Sequence, residues 1–218
     1  AAKLGFVELP LSATEAGLPR SVAADADTAD AGAAARGLFA VREAVSETAL
    51  RLWSSLEKLL ARTPTDWTLF WRYLSVVADA GTDDAAPDAT LLSLLAPAFY
   101  SPVEDTRGID RWTRWLREWL TALAGVSRAP ASEGRRGVLV GQREDAGERM
   151  RRANPKYVPR ETMLAEAYTA AEAGDMAPLH TLMQLLGTPY DEHPEHEERF
   201  FRRSPEGSEQ QGGIGFMS

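Results

Sequence analysis

Apolar residues recur at intervals of three and four along most of the chain, which is the period of an amphipathic helix. The pattern predicts a first helix from about residue 38 to residue 61, ended by Thr63-Pro64. A second helix is predicted to begin with Thr65 as its N-cap, followed by Asp66 in the first turn, and to stop at Gly81. Its apolar stripe consists of Trp67, Phe70, Trp71, Leu74 and Val77.

The middle of the chain predicts two more helices. The segment "ATLLSLLAPAFY" is predicted to form a short helix that Pro97 ends, and "GIDRWTRWLREWLTALAG" a longer one with Asp110 as its N-cap. A row of tryptophans can serve as a ligand platform, but at helical spacing it more often belongs to a core, and we interpret it as core. The candidate core stripe is Trp112, Trp115, Leu116 and Trp119.

The last third predicts a polar helix in "REDAGERMRRAN", followed by helices over about residues 159–173 and 176–186. Pro159 suits the first position of the earlier one, Gly174 its end, and Asp175 the cap of the later one. No repeat of fixed period is present, so a solenoid is not expected. The predicted fold class is mainly α, an irregular bundle of several helices.

Composition divides the chain into three predicted parts. Residues 1–37, rich in Ala and Asp, form an extended or disordered arm; residues 38–203 form the helical domain; residues 204–218 form a flexible, Gly-rich tail. The run Val138–Val140 is apolar but has no partner strand nearby. Because the chain starts without Met, we expect a processed or trimmed N-terminus; a removed mitochondrial or plastid transit peptide stays open, and the compartment is unknown.

The charge distribution is uneven. The formal net charge is −8, which argues against general nucleic-acid binding, whereas residues 107–160 hold 13 Lys and Arg against 6 Asp and Glu. This basic region is either a docking face for an anionic partner or a set of solvated helix faces. The chain has no cysteine, which excludes disulfides and thiolate chemistry, and no apolar run long enough to predict a transmembrane segment.

Motifs that carry chemistry are missing from the sequence. The stretch "DEHPEHEE" crowds His193 and His196 with carboxylates, but Pro194 breaks the helix that would align the two imidazoles, so we interpret it as a solvated acidic turn. No phosphate-binding glycine loop, kinase motif or nucleophile elbow occurs. We therefore assign no catalytic, cofactor-binding or metal-binding residue.

The stretch from residue 150 to residue 192 nevertheless carries a recognisable pattern. Its pieces "MRRANPKYVPR", "AEAGD" and "LLGTPYDE" resemble the C-terminal signature of the selenoprotein O (SelO) family. The segments "DWTLFWRYLS" and "WTRWLREWL" are similar to two further helices of that family, so that the resemblance covers residues 38–203. The residues that match the signature are Met150, Asn154, Pro155, Lys156, Tyr157, Arg160, Gly174, Asp175, Pro189, Tyr190, Asp191 and Glu192.

The resemblance implies a protein kinase-like fold and an activity that transfers AMP from ATP to protein hydroxyls with Mg²⁺ or Mn²⁺. In that family the catalytic and nucleotide-binding residues lie upstream of the matched region, so no catalytic role passes to a residue of this chain. Two departures stand out. Pro159 occupies a position where the family usually has another apolar residue, and the Cys- or Sec-containing tail of some members has no counterpart here.

Two functions follow as hypotheses. In the first, the chain is a non-catalytic structural and interaction subunit that binds protein neighbours in a larger assembly and holds no cofactor of its own. In the alternative, it is the C-terminal portion of an active SelO-like adenylyltransferase whose kinase-like core lies upstream or on another chain. ATP and the metal would then be bound by that core. An unrelated helical bundle with a coincidental signature is the third possibility.

Overall fold

The structure is a computed structural model that describes residues 2–4, 47–81, 86–128 and 146–204 of the 218-residue chain. Within these residues there is no β-strand, only one antiparallel bridge between Thr65 and Phe99, so the predicted mainly α fold is confirmed. The helices are α1 (described over 47–60), α2 (Trp67–Ala80), α3 (Asp88–Leu95), α4 (Thr106–Arg128), α5 (Ala146–Ala153), α6 (Glu161–Glu172), α7 (Ala177–Gly187) and α8 (Glu197–Phe200). Short 3-10 turns form at Ala2–Leu4, Ala96–Ala98 and Pro194–His196.

Helix α2 lies at the centre of the larger hydrophobic core and contacts both α3 and α5. Its apolar stripe meets aromatic rings from two other helices. The indole of Trp71 stacks on Trp53 of α1 with centroids 5.7 Å apart, and the ring of Phe70 lies 6.0 Å from Trp112 of α4. The helical period that predicts α2 therefore also determines which of its faces is buried.

The tryptophans of α4 lie inside this core. Trp112, Trp115 and Trp119 are each at most 3% exposed, and Leu116 is fully buried. Each indole N–H donates a hydrogen bond, respectively to Thr63 Oγ1 at 3.1 Å, to the Leu52 carbonyl at 3.0 Å and to the Leu4 carbonyl at 3.0 Å. Because a buried indole needs such an acceptor, these bonds fix α4 against α1 and against residues 2–4.

A smaller core lies between α6, α7 and α8. Its buried members are Tyr157, Met163, Ala167, Leu182, Leu185 and Phe200, and Phe201 packs against both this core and the larger one.

The turn from α6 to α7 depends on Gly174, whose φ is +90°, a conformation that favours glycine. The N–H of Gly174 donates to the Ala171 carbonyl at 3.0 Å, and that of Asp175 to the Ala170 carbonyl at 2.9 Å. This pair of bonds is the Schellman motif, which satisfies carbonyls at the helix end.

Three predicted N-caps are wrong. The N-cap of α7 is Met176 rather than Asp175, although the Asp175 carboxylate accepts from the Ala177 N–H. The Asp66 carboxylate, not Thr65, accepts a hydrogen bond from the Leu69 N–H at 3.0 Å and caps α2, while the Thr65 hydroxyl donates to the Thr63 carbonyl. Helix α4 begins at Thr106, a turn earlier than predicted, so that Asp110 lies within it. There Asp105 accepts the bond from the Gly108 N–H at 2.8 Å. In α2 and α4 alike, the sequence offers more than one residue suited to cap the start of the helix, and the helical pattern alone does not choose between them.

Two further expectations are corrected. Pro159 does not occupy the first position of α6, because that helix begins at Glu161. Its N-cap is Arg160, which has extended backbone. Trp67, included in the apolar stripe of α2, is 49% exposed and lies at the first position of the helix. Its edge contact with Trp53 leaves much of the ring in solvent.

Several predictions fall outside the described residues: most of the arm, residues 38–46 of the first predicted helix, the run Val138–Val140, and the tail beyond residue 204. The three-part division of the chain stays a prediction. Within the arm, residues 2–4 are described, and Leu4 is 1% exposed in the larger core. Among the described helices, none has both the length and the hydropathy of a membrane-spanning segment.

Candidate functional site

The two most specific parts of the signature, around Lys156 and around Pro189, lie against each other. The backbone N–H groups of Lys156 and Tyr157 both donate to the Pro189 carbonyl, at 2.7 and 3.1 Å. The phenol of Tyr157 donates to the carbonyls of Glu192 at 2.6 Å and His193 at 3.0 Å. Four hydrogen bonds therefore join segments that are more than 30 residues apart in sequence.

A group of charged side chains fills the space behind this contact. We call it the Lys156 cluster: Arg72, Lys156, Glu192 and Glu197. Lys156 Nζ lies 2.8 Å from Glu192 Oε2 and 3.2 Å from Glu197 Oε1, and it also donates to the Glu192 carbonyl at 2.9 Å. The side chain of Lys156 is 3% exposed, and an ammonium group so deeply buried is tolerated only when it is paired and hydrogen-bonded.

Arg72 brings α2 into the cluster. Its guanidinium is 5% exposed and pairs through Nη2 with Glu192 Oε1. Through Nη1 it donates to the carbonyls of Arg151, Asn154 and Tyr190 at 3.3, 3.3 and 3.4 Å. The end of a helix leaves carbonyls without partners, so Arg72 satisfies the end of α5 and the loop after α7 together.

The environment of the cluster shifts three pKa values. Burial lowers the pKa of Arg72, against the opposing effect of Glu192. Burial alone would raise the pKa of Glu192, but the hydrogen bond from Lys156 and the charge of Arg72 bring it below its usual value. Burial, reinforced by the nearby Glu197 and Glu192 carboxylates, raises the pKa of Tyr157 to about 12. At neutral pH Glu192 is thus an anion and Tyr157 a neutral donor.

Asn154 links the signature to the larger core. Its Nδ2 donates to the Met150 carbonyl at 2.8 Å, and its Oδ1 accepts from Lys3 Nζ at 2.9 Å. Asn154 is 1% exposed, and Met150 is fully buried. The amide thereby ends α5 and holds residues 2–4 in place.

Arg160 forms a second anchor, at the start of α2. Its guanidinium makes two parallel bonds to Asp66, from Nη1 to Oδ2 at 2.6 Å and from Nη2 to Oδ1 at 2.8 Å. This bidentate geometry is among the strongest that an arginine and a carboxylate adopt. Asp66, which is 4% exposed, therefore caps α2 and binds Arg160 with the same carboxylate.

The remaining signature residues shape turns. Gly174 ends α6, and the Asp175 carboxylate accepts from the Ala177 N–H at 3.0 Å at the start of α7. Tyr190 contributes its backbone carbonyl to Arg72 while its side chain is 47% exposed. The N–H of Asp191 donates to the Thr188 carbonyl at 3.1 Å, which tightens the loop that carries Glu192. Pro155 is half-buried between Asn154 and Lys156.

A cavity of about 320 Å³ opens beside the cluster, lined by its four side chains and by Arg151, Tyr73 and Phe201 among others. Lys156 Nζ lies 5.1 Å above the Phe201 ring, a cation–π distance. The cations around this cavity already face carboxylates, because Arg151 pairs with Asp79 at 2.7 Å. The arrangement holds segments together through charge.

The acidic turn around His193 forms local contacts. His193 Nε2 lies 2.7 Å from Thr188 Oγ1, and both His193 and His196 lie more than 3.5 Å from the Glu195 carboxylate. Among the described residues, no group of three or more His, Asp or Glu side chains is arranged to hold a metal ion.

Sequence reasoning does not assign Arg72 to the site, although the family-like segment around it contains it. The signal in the sequence is a polar stripe on α2, since Arg72, Ser75 and Asp79 recur at helical spacing beside the apolar stripe. Helix α5 packs on this stripe, where Gly147 allows close approach. Glu197 gives no comparable signal, because it lies among many exposed acids.

The fold and the Lys156 cluster define a class of protein: a helical domain whose charged signature residues bind one another across α2, α5 and the loop after α7. No family model and no solved structure matches the chain.

Curated relatives do match. The chain is 34% identical over 185 residues to the protein nucleotidyltransferase YdiU of Nitrosospira multiformis, a match that covers 77% of this chain and 30% of the relative. The proteins of the same name are 32% identical in Methylobacillus flagellatus over 160 residues (73% and 27% covered) and 37% identical in Aeromonas hydrophila over 149 residues (67% and 25% covered).

These relatives are bacterial members of the SelO family, and they confirm the resemblance: the chain is related to that family. It spans about 30% of the length of the relatives it matches, which is consistent with a C-terminal region. The kinase-like fold that the resemblance implies stays an expectation.

Proposed function

We propose that this chain is a non-catalytic helical module, derived from the C-terminal part of a SelO-like protein, that binds protein neighbours in a larger assembly. One observation carries the proposal: the signature residues Lys156, Arg160 and Glu192 are engaged with each other or with charged residues of α2 and its N-cap. Lys156 and Arg72 are buried and paired with Glu192, and Arg160 is paired with Asp66. A phosphate group would have to displace these carboxylates to reach the cations, at the cost of the contacts that hold α2 to the rest.

A nucleotide titration tests this proposal. The purified chain is heated with increasing ATP and either Mg²⁺ or Mn²⁺, and AMP transfer from labelled ATP to a test protein is measured in parallel. We expect neither a change in Tm nor transfer, with the Nitrosospira protein nucleotidyltransferase as the positive control for transfer. A site filled at 100 times its Kd would add about 2.7 kcal/mol of stability, which is a rise of roughly 5–10 °C for a chain of this size. Such a rise would overturn the proposal.

A second candidate function is favoured by the names and lengths of the relatives. In this case the chain is the C-terminal portion of a protein adenylyltransferase that transfers AMP from ATP to protein hydroxyls. Its kinase-like core, with ATP and Mg²⁺ or Mn²⁺, would lie upstream or on another chain. The Lys156 cluster would then stabilise the helical domain that packs against that core.

The size of the native protein separates the two candidates. An antibody against this chain is used on extracts of the source cells, on denaturing and native gels. The first proposal predicts a denatured band near the 23.8 kDa of this chain and a native complex that contains no nucleotidyltransferase activity. A denatured band well above that mass, or a native complex that transfers AMP, favours the second.

A further inference from the structure

A groove between α1 and α4 carries a concentration of positive charge. We call it the basic groove: Lys58, Arg62, Arg111 and Arg114. A depression of about 250 Å³ is lined by all four, and a second one of about 120 Å³ adjoins it and shares Arg62 and Arg111. The groove is therefore elongated, and it has no residue in common with the Lys156 cluster.

The charges of the groove are largely uncompensated. Within the described part of the chain, Lys58, Arg62 and Arg114 form no ion pair, and all three are exposed. Arg111 reaches Asp105 only at 3.9 Å. Glu118 also lines the groove, but its Oε2 lies 3.9 Å from Nη1 of Arg51, which is outside the groove.

This pattern contrasts with the cations in and beside the Lys156 cluster. The buried cations Arg72 and Lys156 and the partly buried Arg151 are closely paired with carboxylates, and the chain as a whole has a net charge of −8. Four cations held together on an acidic protein repel one another, and an anionic partner would relieve that repulsion. The groove therefore has the electrostatics of a binding surface.

The geometry selects the kind of anion. Arg111 and Arg114 project from the side of α4 at i and i+3, about one turn or roughly 5 Å apart, while Lys58 lies in the last turn of α1 and Arg62 in the turn that follows it. Alternate residues of an extended peptide are separated by about 6.6 Å, a similar spacing. The larger depression has neither the glycine-rich loop nor the helix N-terminus that typically holds a phosphate, and at the smaller one the first turn of α4 is already capped by the Asp105 carboxylate.

We propose that the basic groove binds an extended acidic segment of a partner protein, with Asp or Glu at alternate positions. Each guanidinium can donate two parallel hydrogen bonds to one carboxylate, which an ammonium group cannot do. The apolar stems of the arginines and the edge of Leu59 would contact the peptide backbone between the charges. The inference goes beyond the proposed function, because it holds whether or not a catalytic chain is attached.

Fluorescence anisotropy with a synthetic probe tests the inference. The probe is a labelled 12-residue peptide with Glu at alternate positions, and its control has Gln in their place. The native chain is compared with two double variants. R62Q/R114Q removes two positive charges from the groove, and the matched control R152Q/R202Q removes two positive charges elsewhere. All four arginines are exposed, so both variants are expected to fold, and circular dichroism checks this. Lys58→Gln is a milder second variant of the groove.

We expect the acidic peptide to bind more tightly than the neutral one, and its affinity to fall as salt is raised. R62Q/R114Q should weaken binding about tenfold, since two exposed charge contacts are each worth up to about 1 kcal/mol, whereas R152Q/R202Q should stay within about twofold. An equal loss of affinity in both variants would show a general effect of net charge and would overturn the proposal that the groove is the binding site. So would the absence of binding at low salt, or stronger competition by a single-stranded oligonucleotide than by unlabelled peptide.

Discussion

Replacing Glu192 with glutamine probes whether the Lys156 cluster holds the domain together. In the native protein one carboxylate bridges two buried cations, with Oε1 on Arg72 and Oε2 on Lys156. Glutamine keeps the size of the side chain and one acceptor oxygen but removes the negative charge. Lys156 would then keep Glu197, which lies 3.2 Å from its Nζ, whereas Arg72 would keep only its backbone carbonyl acceptors.

The expected magnitude follows from the exposure of each partner. Removing one partner of a buried ion pair costs about 3–5 kcal/mol, and removing one partner of an exposed pair costs about 0–1 kcal/mol. The Arg72 and Lys156 side chains are 5% and 3% exposed, but that of Glu192 is 58% exposed and therefore screened by water. We expect Glu192→Gln to lower the free energy of unfolding by about 2 kcal/mol, between the two limits.

Removing the cationic partner, Lys156, should lower the free energy of unfolding by less. Lys156→Met removes the pairs with Glu192 and Glu197 but leaves behind two exposed carboxylates, of which that of Glu192 still pairs with Arg72. The Glu192 carbonyl also keeps its bond from the Tyr157 phenol. Methionine fills a similar volume with apolar atoms, so we expect a loss of about 1 kcal/mol or less. The asymmetry arises because an unpaired buried charge costs more than an unpaired solvated one.

Urea unfolding at neutral pH, followed by tryptophan fluorescence and circular dichroism, measures both values. Arg199→Gln serves as the control, because it breaks an exposed pair of 3.7 Å with Glu166 and should change stability by less than about 0.5 kcal/mol. If Lys156→Met proves as destabilising as Glu192→Gln, or more so, the reasoning from buried charge is refuted.

The pH dependence gives the same experiment a second readout. The folded pKa of Glu192 lies below its ordinary value of 4.5, so its contribution to stability is present above pH 4.5 and is lost as the pH falls through the folded pKa. The gap in stability between the native chain and Glu192→Gln should therefore narrow below pH 4.5. A gap that stays constant into the acid range would contradict the assigned role of the charge.

Substitutions at three further positions test other contacts. Tyr157→Phe should cost about 1 kcal/mol in urea unfolding. Because the folded pKa of this phenol is raised from 10.0 to about 12, the variant should also lack part of the stability loss that the native chain shows as the pH rises through that range. Gly147→Ala should lower the Tm despite the better helix propensity of alanine, since its Cβ would lie 2.9 Å from the Ser75 carbonyl oxygen. Asp66→Ala should destabilise more than Asp66→Asn by about 1 kcal/mol in urea unfolding, because asparagine loses the Arg160 charge pair but still caps α2.

The sequence predicts the helices well but their caps less well, for a local reason. Helix period depends on many residues, so the apolar stripe of α4 is unambiguous. A cap depends on one side chain, and Thr65 and Asp66 are both favourable capping residues in adjacent positions. The structure shows that Asp66 is the cap, and that the same carboxylate also accepts from Arg160, a contact that the local sequence does not reveal.

The candidate site could be predicted only in part. The family resemblance names Lys156, Tyr157 and Glu192, but the partner that explains their arrangement, Arg72, lies more than 80 residues earlier. No local periodicity reports a contact over that distance. A buried arginine is also counter to expectation, because composition alone places arginine at the surface.

The contacts along α2 give a structural reason for the pattern of the stretch from Arg151 to Arg160. Arg151 pairs with Asp79 near the end of α2, the carbonyl of Asn154 accepts from Arg72 in its middle, and Arg160 pairs with Asp66 at its start. The stretch therefore runs antiparallel to α2 and is fastened to it at three levels over about 20 Å of helix. Each contact needs a particular charge at a particular position, which an apolar interface would not require. The contacts that this stretch makes with α2 thus account for its part of the signature.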